Sequence, residues 1–226
     1  MGHQSTKFDM EPTIRPREWE LILPHHELHV NDEILLKLFT FGNQVNYVPC
    51  ECESNEGRVI KADDVHNVII YDRVTMKKVK QFPSGHTRSI RRIAVWESGR
   101  APQIITASGD STLRVFDFEG KILRKLDTDG HLSGKVLCVA VTQGEPYEFT
   151  IVASGGDDGK VCLWNLKTGK LKWALEGHQA RIISVTFCVG RGGAKLVASL
   201  DFSGEIRLWD RNEGRLRRIL PPTSAI

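Results

Sequence analysis

The sequence predicts an all-β protein built from repeated four-stranded antiparallel sheets, and three observations carry that expectation. A Gly-His pair recurs at Gly85-His86, Gly130-His131 and Gly177-His178, at intervals of 45 and 47 residues. A strand-like run ending in an aromatic and a polar residue recurs at Tyr71-Asp72, Phe116-Asp117, Trp164-Asn165 and Trp209-Asp210, with the aromatic positions 45, 48 and 45 apart. Between the markers lie short apolar and β-branched runs broken by Gly, Asp and Asn, which is the composition of strands and tight turns rather than of helices. Two independent markers keeping one period of ~20–50 residues define a modular repeat.

Taken in order, residues 1–27 form a polar leader, and the repeats follow over 28–226. Residues 28–41 read as a degraded, partial copy, with strand-like Glu27–Val30 and Ile34–Phe41. Four recognisable units then span 42–84, 85–129, 130–176 and 177–220. The third shows the internal pattern best. Its strands are expected at Val136–Val141, Ile151–Ser154, Val161–Trp164 and Lys170–Leu175, with turns at Gly155–Gly159 and Lys167–Gly169. A sheet this small cannot bury both faces alone, so the units must stack; four strands per unit, stacked in series, is the pattern of β-propeller blades.

On these residues the chain resembles the WD-repeat β-propeller family. The matches run from Gly85-His86 to Phe116-Asp117, from Gly130-His131 to Trp164-Asn165, and from Gly177-His178 to Trp209-Asp210, with a weaker one from Gly42. The resemblance implies a hydrogen-bonded tetrad of His, Ser/Thr, Asp and Trp inside each blade. The third unit has all four as His131, Ser154, Asp158 and Trp164. The second has His86, Thr106 and Asp110, but Phe116 replaces the Trp and lacks its N–H donor. The fourth has His178, Ser199 and Trp209, but Ser203 stands in the Asp position and Asp201 comes two residues early. The Gly42 unit keeps no tetrad, having Asn43, Lys61, Val65 and Tyr71.

The resemblance also implies a ring, usually of seven blades, and this chain is too short for one at ~40–45 residues per blade. An open arc would leave an apolar sheet face bare at each end, which soluble monomers rarely tolerate. Three completions compete: a longer protein, another chain or second copy, or a tight five-bladed ring closed by the leader with Trp19–Leu23.

Composition narrows the function classes. Hydrophobic residues at 40%, charged residues at 26% and a net charge of +3 exclude a disordered or collagen-like chain. No run approaches the ~18 apolar residues of a membrane span, and the charged first twenty residues do not read as a secretory signal. Five cysteines, an odd number, with Cys138, Cys162 and Cys188 in apolar runs, point to buried thiols in a reducing cytoplasmic or nuclear compartment. Cys50 and Cys52 have no second ligand pair, so no metal and no cofactor are expected. The turn Asp157-Asp158-Gly159-Lys160 recurs in position in every unit and reads as a β-turn rather than an acidic metal loop, and the loop Gly190–Lys195 lacks the Gly-Lys-Ser/Thr end and following helix of a phosphate cradle. His25, His26 and His29 lack a cysteine partner and a helical face. Met1–Thr6 fits an N-myristoylation pattern at Gly2, the one feature that would bring the chain to a membrane.

No nucleophile–base set stands out, so the chain reads as non-enzymatic. In propellers the residues after each Gly-His lie on a face where partners commonly dock; here they are Arg88, Arg91, Lys135 and Arg181, a basic sector suited to acidic or phosphorylated protein segments. Nucleic acid is not expected at a net charge of +3 without a basic-aromatic stripe. The expected function is a scaffold or adaptor presenting propeller surfaces within a multi-subunit assembly. Two alternatives are a ubiquitin-ligase substrate receptor and a non-catalytic segment of a larger enzyme. The first gains no support, because one such receptor class carries Arg where this chain has Val74, Glu119, Lys167 and Asn212.

Overall fold

A computed structural model of the chain describes residues 51–54, 57–97, 101–126, 134–143, 146–189 and 193–220. The leader, residues 28–41, Gly42, Asn43, Gly2 and His131 lie outside the described residues. The strands fall into four four-stranded antiparallel sheets, each a meander of consecutive strands. Blade 1 comprises β1 (Glu51–Glu53), β2 (Arg58–Ala62), β3 (Asn67–Asp72) and β4 (Lys78–Pro83). Blade 2 comprises β5 (Ile90–Trp96), β6 (Gln103–Ser108), β7 (Leu113–Asp117) and β8 (Ile122–Leu126). Blade 3 comprises β9 (Val136–Val141), β10 (Ile151–Gly156), β11 (Val161–Asn165) and β12 (Leu171–Leu175). Blade 4 comprises β13 (Ile182–Val189), β14 (Lys195–Asp201), β15 (Ile206–Asp210) and β16 (Leu216–Leu220). One 3-10 turn, Tyr147–Phe149, precedes β10. No helix among the described residues is long and apolar enough to cross a membrane.

The second strand of the third unit runs two residues further than its sequence suggests, through Gly155 and Gly156. The reason is packing. A Cβ on Gly155 would sit 2.4 Å from Ile182 Cγ2 and 2.8 Å from Cys138 Sγ. The glycine is there because the first strands of blades 3 and 4 close over the sheet, not because the chain turns.

The blades stack face to face, and strand alternation decides which residues meet. Registers pair Val59 with Tyr71, Ile104 with Phe116, Val152 with Trp164 and Val197 with Trp209, which fixes equivalent positions across the blades. Blade 1 turns Ile60, Val68, Ile70 and Phe82 toward Ile90, Ile93, Ile104 and Phe116 of blade 2. Blade 2 turns Ile105, Leu113, Val115 and Leu126 toward Val136, Val139, Val152 and Trp164 of blade 3. Blade 3 turns Ala153, Val161, Leu163 and Leu175 toward Ile182, Val185, Val197 and Trp209 of blade 4. Each core is therefore shared by two blades, so no sheet is stable alone.

The outer strands of blades 1, 2 and 3 also reach the next blade, through Phe82 at Gly120, Leu126 at Gly169 and Trp173 at Gly214. Trp173 of β12 donates its indole N–H to the carbonyl of Asn212 at 3.2 Å and lies over Gly214, where a Cβ would come within 2.5 Å of the ring. Gly214 has φ +67°, so both the backbone and the neighbour exclude a side chain there. The equivalent turn of blade 1 has Met76 at φ 52° and 53% exposed, with no blade ahead of it among the described residues.

Candidate functional site

In blades 2 and 4 a hydrogen-bonded network begins where the chain enters the blade, at His86 and His178. In blade 4 the indole N–H of Trp209 donates to Ser199 Oγ at 2.8 Å, and Ser199 Oγ lies 2.7 Å from His178 Nε2. His178 Nδ1 lies 2.8 Å from Asp201 Oδ2. One direction satisfies the whole series: indole N–H to hydroxyl oxygen, hydroxyl to Nε2, and Nδ1–H to carboxylate. Ser199 is fully buried and Asp201 nearly so. Asp201 thus fills the acidic role that sequence spacing left open at Ser203. The two residue types have exchanged places between blades. In blade 2, Ser108 Oγ accepts from the backbone N–H of Asp110, and Asp110 carries the carboxylate. In blade 4, Asp201 accepts from both the backbone N–H and the hydroxyl of Ser203. Either order puts one carboxylate within reach of the imidazole.

In blade 2, His86 Nδ1 lies 2.9 Å from Asp110 Oδ2, and His86 Nε2 lies 2.8 Å from Thr106 Oγ1. Phe116 takes the Trp position and packs on Phe82 with ring centroids 5.4 Å apart, replacing a polar link with an apolar one across blades 1 and 2. In blade 3, Trp164 donates to Ser154 Oγ at 2.9 Å, and Asp158 accepts from the backbone N–H of Lys160 at 3.1 Å. Their expected partner His131 lies outside the described residues. In blade 1, Lys61 Nζ stands 6.0 Å from the Tyr71 ring centroid, Val65 is 74% exposed, and Asp63 holds the turn through Asn67 at 2.7 Å.

Electrostatics follow from burial. Desolvation holds His86 and His178 below the ordinary histidine value of 6.5, although Asp110 and Asp201 pull the other way. Burial acts to raise the Asp110 carboxyl, but hydrogen bonds from Thr112, His86 and the Thr87 backbone outweigh it and bring the pKa to about 2. The Asp201 carboxyl is lowered too, where bonds from Ser203 and His178 overcome its desolvation. Both networks therefore pair a neutral imidazole with a carboxylate. Desolvation drives the thiols of Cys138 and Cys162 up to about 12, and those of Cys52 and Cys188 up to about 11. Cys138 and Cys162 are buried as their apolar runs suggest, whereas Cys188 is only half-buried. His178, Asp201 and Glu205 bring three potential ligand atoms within 4.8 Å of one another. Each is already engaged, Glu205 with Arg207 Nε at 2.5 Å, so this is the blade-4 network and not a separate metal site.

All four expected cations, Arg88, Arg91, Lys135 and Arg181, are exposed at one end of the sheets. Their equivalence is narrower than sequence spacing implies. The turn of blade 2 bonds to the carbonyl of Ser89 (3.0 Å), that of blade 3 to Lys135 (3.0 Å), and that of blade 4 to Arg181 (2.9 Å). Lys135 and Arg181 are thus true counterparts, while Arg88 and Arg91 flank Ser89. Arg91 occupies a bulge, because register skips from Ile90 to Arg92. Asp157, exposed on the same rim, adds one carboxylate near Lys135. Sequence reasoning missed Phe202. It is 57% exposed, and the Arg181 guanidinium stacks 4.0 Å from its ring centroid. The available signal was an aromatic in a turn where the other units carry Gly109 and Asp157.

A family model described as "WD domain, G-beta repeat" matches residues 76–117 and 120–165. Each match starts at or just before the outer strand of one blade and ends in the third strand of the next, so a repeat of this kind ties two blades together. A p21-activated protein kinase-interacting protein 1-like protein of Xenopus laevis is 28% identical over 130 residues, covering 58% of this chain and 32% of that protein. The WD repeat-containing protein 37 of Mus musculus is 26% identical over 163 residues, covering 72% and 30%. The cell division control protein 4 of Candida albicans is 36% identical over 108 residues, covering 44% and 13%. The matched part of the chain spans about a third or less of the length of these relatives. With repeat matches over residues 76–117 and 120–165 and the same strand order and shared cores through blade 4, the chain carries the repeats of the WD-repeat β-propeller family.

Proposed function

We propose that this chain is a non-enzymatic interaction scaffold, whose rim of cations captures acidic or phosphorylated segments of protein partners in a multi-subunit assembly of the cytoplasm or nucleus. The observation that carries the reading is the placement of Lys135 and Arg181 at one register position, flanked on the neighbouring blade by Arg88 and Arg91, all exposed. Cations on a rigid rim recognise carboxylate or phosphate without the entropic cost of ordering a loop. The His86 and His178 networks serve that rigidity by pinning each blade entrance to its own second strand. A structural role for these histidines suits groups held neutral and buried. Protein partners accord with the family, and one relative is itself named as a kinase-interacting protein.

The test is capture of acidic and phosphorylated peptides by the full chain and by Arg88→Glu/Arg181→Glu. Loss of binding by at least tenfold is expected, with Lys121→Glu/Lys170→Glu, at the opposite end of the sheets, binding as the unaltered chain does. Equal capture by both double variants would reject the rim.

A further inference from the structure

The turn between the second and third strands of blades 2, 3 and 4 sets one residue against the blade entrance. Gly109, Asp157 and Phe202 each donate a backbone N–H there, to Ser89, Lys135 and Arg181 respectively. One position on the cationic rim is thus filled by glycine, aspartate and phenylalanine in turn, and its surroundings differ in kind. A Cβ on Gly109 would sit 3.6 Å from Arg88 Cβ and 3.8 Å from Arg91 Nε, so arginine lines the turn of blade 2. In blade 3 the exposed carboxylate of Asp157 offsets the charge of Lys135. In blade 4 the Arg181 guanidinium lies 4.0 Å from the Phe202 ring centroid, while 57% of Phe202 remains open to solvent. Packing does not account for this phenylalanine. A turn side chain so exposed adds little to the core, and Gly109 and Asp157 make the same backbone contact without an aromatic ring.

We propose that blade 4 selects, among the acidic protein segments that the rim captures, those with an aromatic side chain next to an acidic one; this selection rests on capture by the cationic rim. A guanidinium stacked on a ring is held in place by the stack and keeps its N–H edges free for a carboxylate. The Phe202 ring has its remaining face and edge to offer, and aromatic pairs gain attraction beyond the area they bury. Arg181 therefore takes the carboxylate and Phe202 the neighbouring ring. Arg88 and Arg91 bind acids of the same segment on blade 2, where Gly109 offers no apolar surface. Asp157 offers neither a cation nor a ring, so blade 3 takes no part in the selection.

The probes are poly-glutamate and a glutamate–tyrosine copolymer of equal length, bound to the full chain at physiological ionic strength. The copolymer should bind about fivefold tighter than poly-glutamate. Phe202→Ala should abolish that advantage while poly-glutamate still binds, which also shows the fold intact. Phe202→Tyr and Asp157→Ala should both keep the advantage. Equal binding of the two polymers by the unaltered chain, or an advantage that survives Phe202→Ala, overturns the selection and leaves the rim standing. Capture of neither polymer, or capture undiminished in Arg88→Glu/Arg181→Glu, overturns the rim and the selection with it.

Discussion

Ser199→Ala tests whether the blade-4 network stabilises the fold as its geometry implies. Ser199 is fully buried, with its hydroxyl 2.8 Å from the Trp209 indole nitrogen and 2.7 Å from His178 Nε2. Replacing it by alanine removes little volume but strands a buried N–H donor and a buried imidazole acceptor at once. Each unsatisfied buried group costs about 1–3 kcal/mol, so a combined loss of about 3 kcal/mol is expected. In a chain of this size that lowers the melting temperature by about 6–12 °C. Trp209→Phe, which copies the natural Phe116 of blade 2, removes the donor yet leaves Ser199 bonded to His178, so it should cost less through this link. The double variant should be clearly less destabilised than the sum of the singles, because both remove the same bond. Urea unfolding of the four proteins gives the cycle. A Ser199→Ala loss below about 0.5 kcal/mol, or strict additivity, would refute the idea that this hydroxyl links strand and loop.

Acidification should destabilise the chain in two steps. Folded His86 and His178 refuse a proton that the unfolded residues accept near 6.5, so stability is full above that value and falls as pH drops below it. A second loss begins below about 3.8, where the unfolded counterparts of Asp110 and Asp201 protonate first, and continues for Asp110 to about 2. A melting temperature that rises between pH 7 and 5 would contradict this. Gly214→Ala should cost about 2–4 kcal/mol by thermal or urea unfolding, since it adds left-handed strain and pushes a Cβ into Trp173. Met76→Gly, at the equivalent but uncovered turn, should instead be neutral or stabilise by up to about 1 kcal/mol. Thiol labelling at pH 8 should leave Cys138 and Cys162 unmodified in the folded chain and modify them on denaturation.

The repeat, the strand content and the stacking of small sheets were legible in the sequence because each is local or periodic. Gly-His pairs, aromatic-polar strand ends and turn residues recur at one spacing, and a sheet with two apolar faces has to find neighbours. Most network members were legible for the same reason. Asp201 was not, since its role depends on a carboxylate reaching His178 from a register position that Ser108 occupies in blade 2. Phe202 stayed hidden because a turn aromatic gains meaning only when Arg181, which lies before the two preceding strands in the chain, comes to rest on its ring. Arg88 and Arg91 fall one residue before and two residues after Ser89, which takes the place of Lys135 and Arg181, and that equivalence shows only in the turn-to-strand hydrogen bonds because the bulge beside it recurs in blades 2, 3 and 4. The sequence by itself determined the period, the strand alternation and which side chains are apolar. Only the tertiary structure decided which blade covers which face and where a carboxylate or guanidinium comes to rest, because those depend on distances between segments that no spacing along one chain encodes.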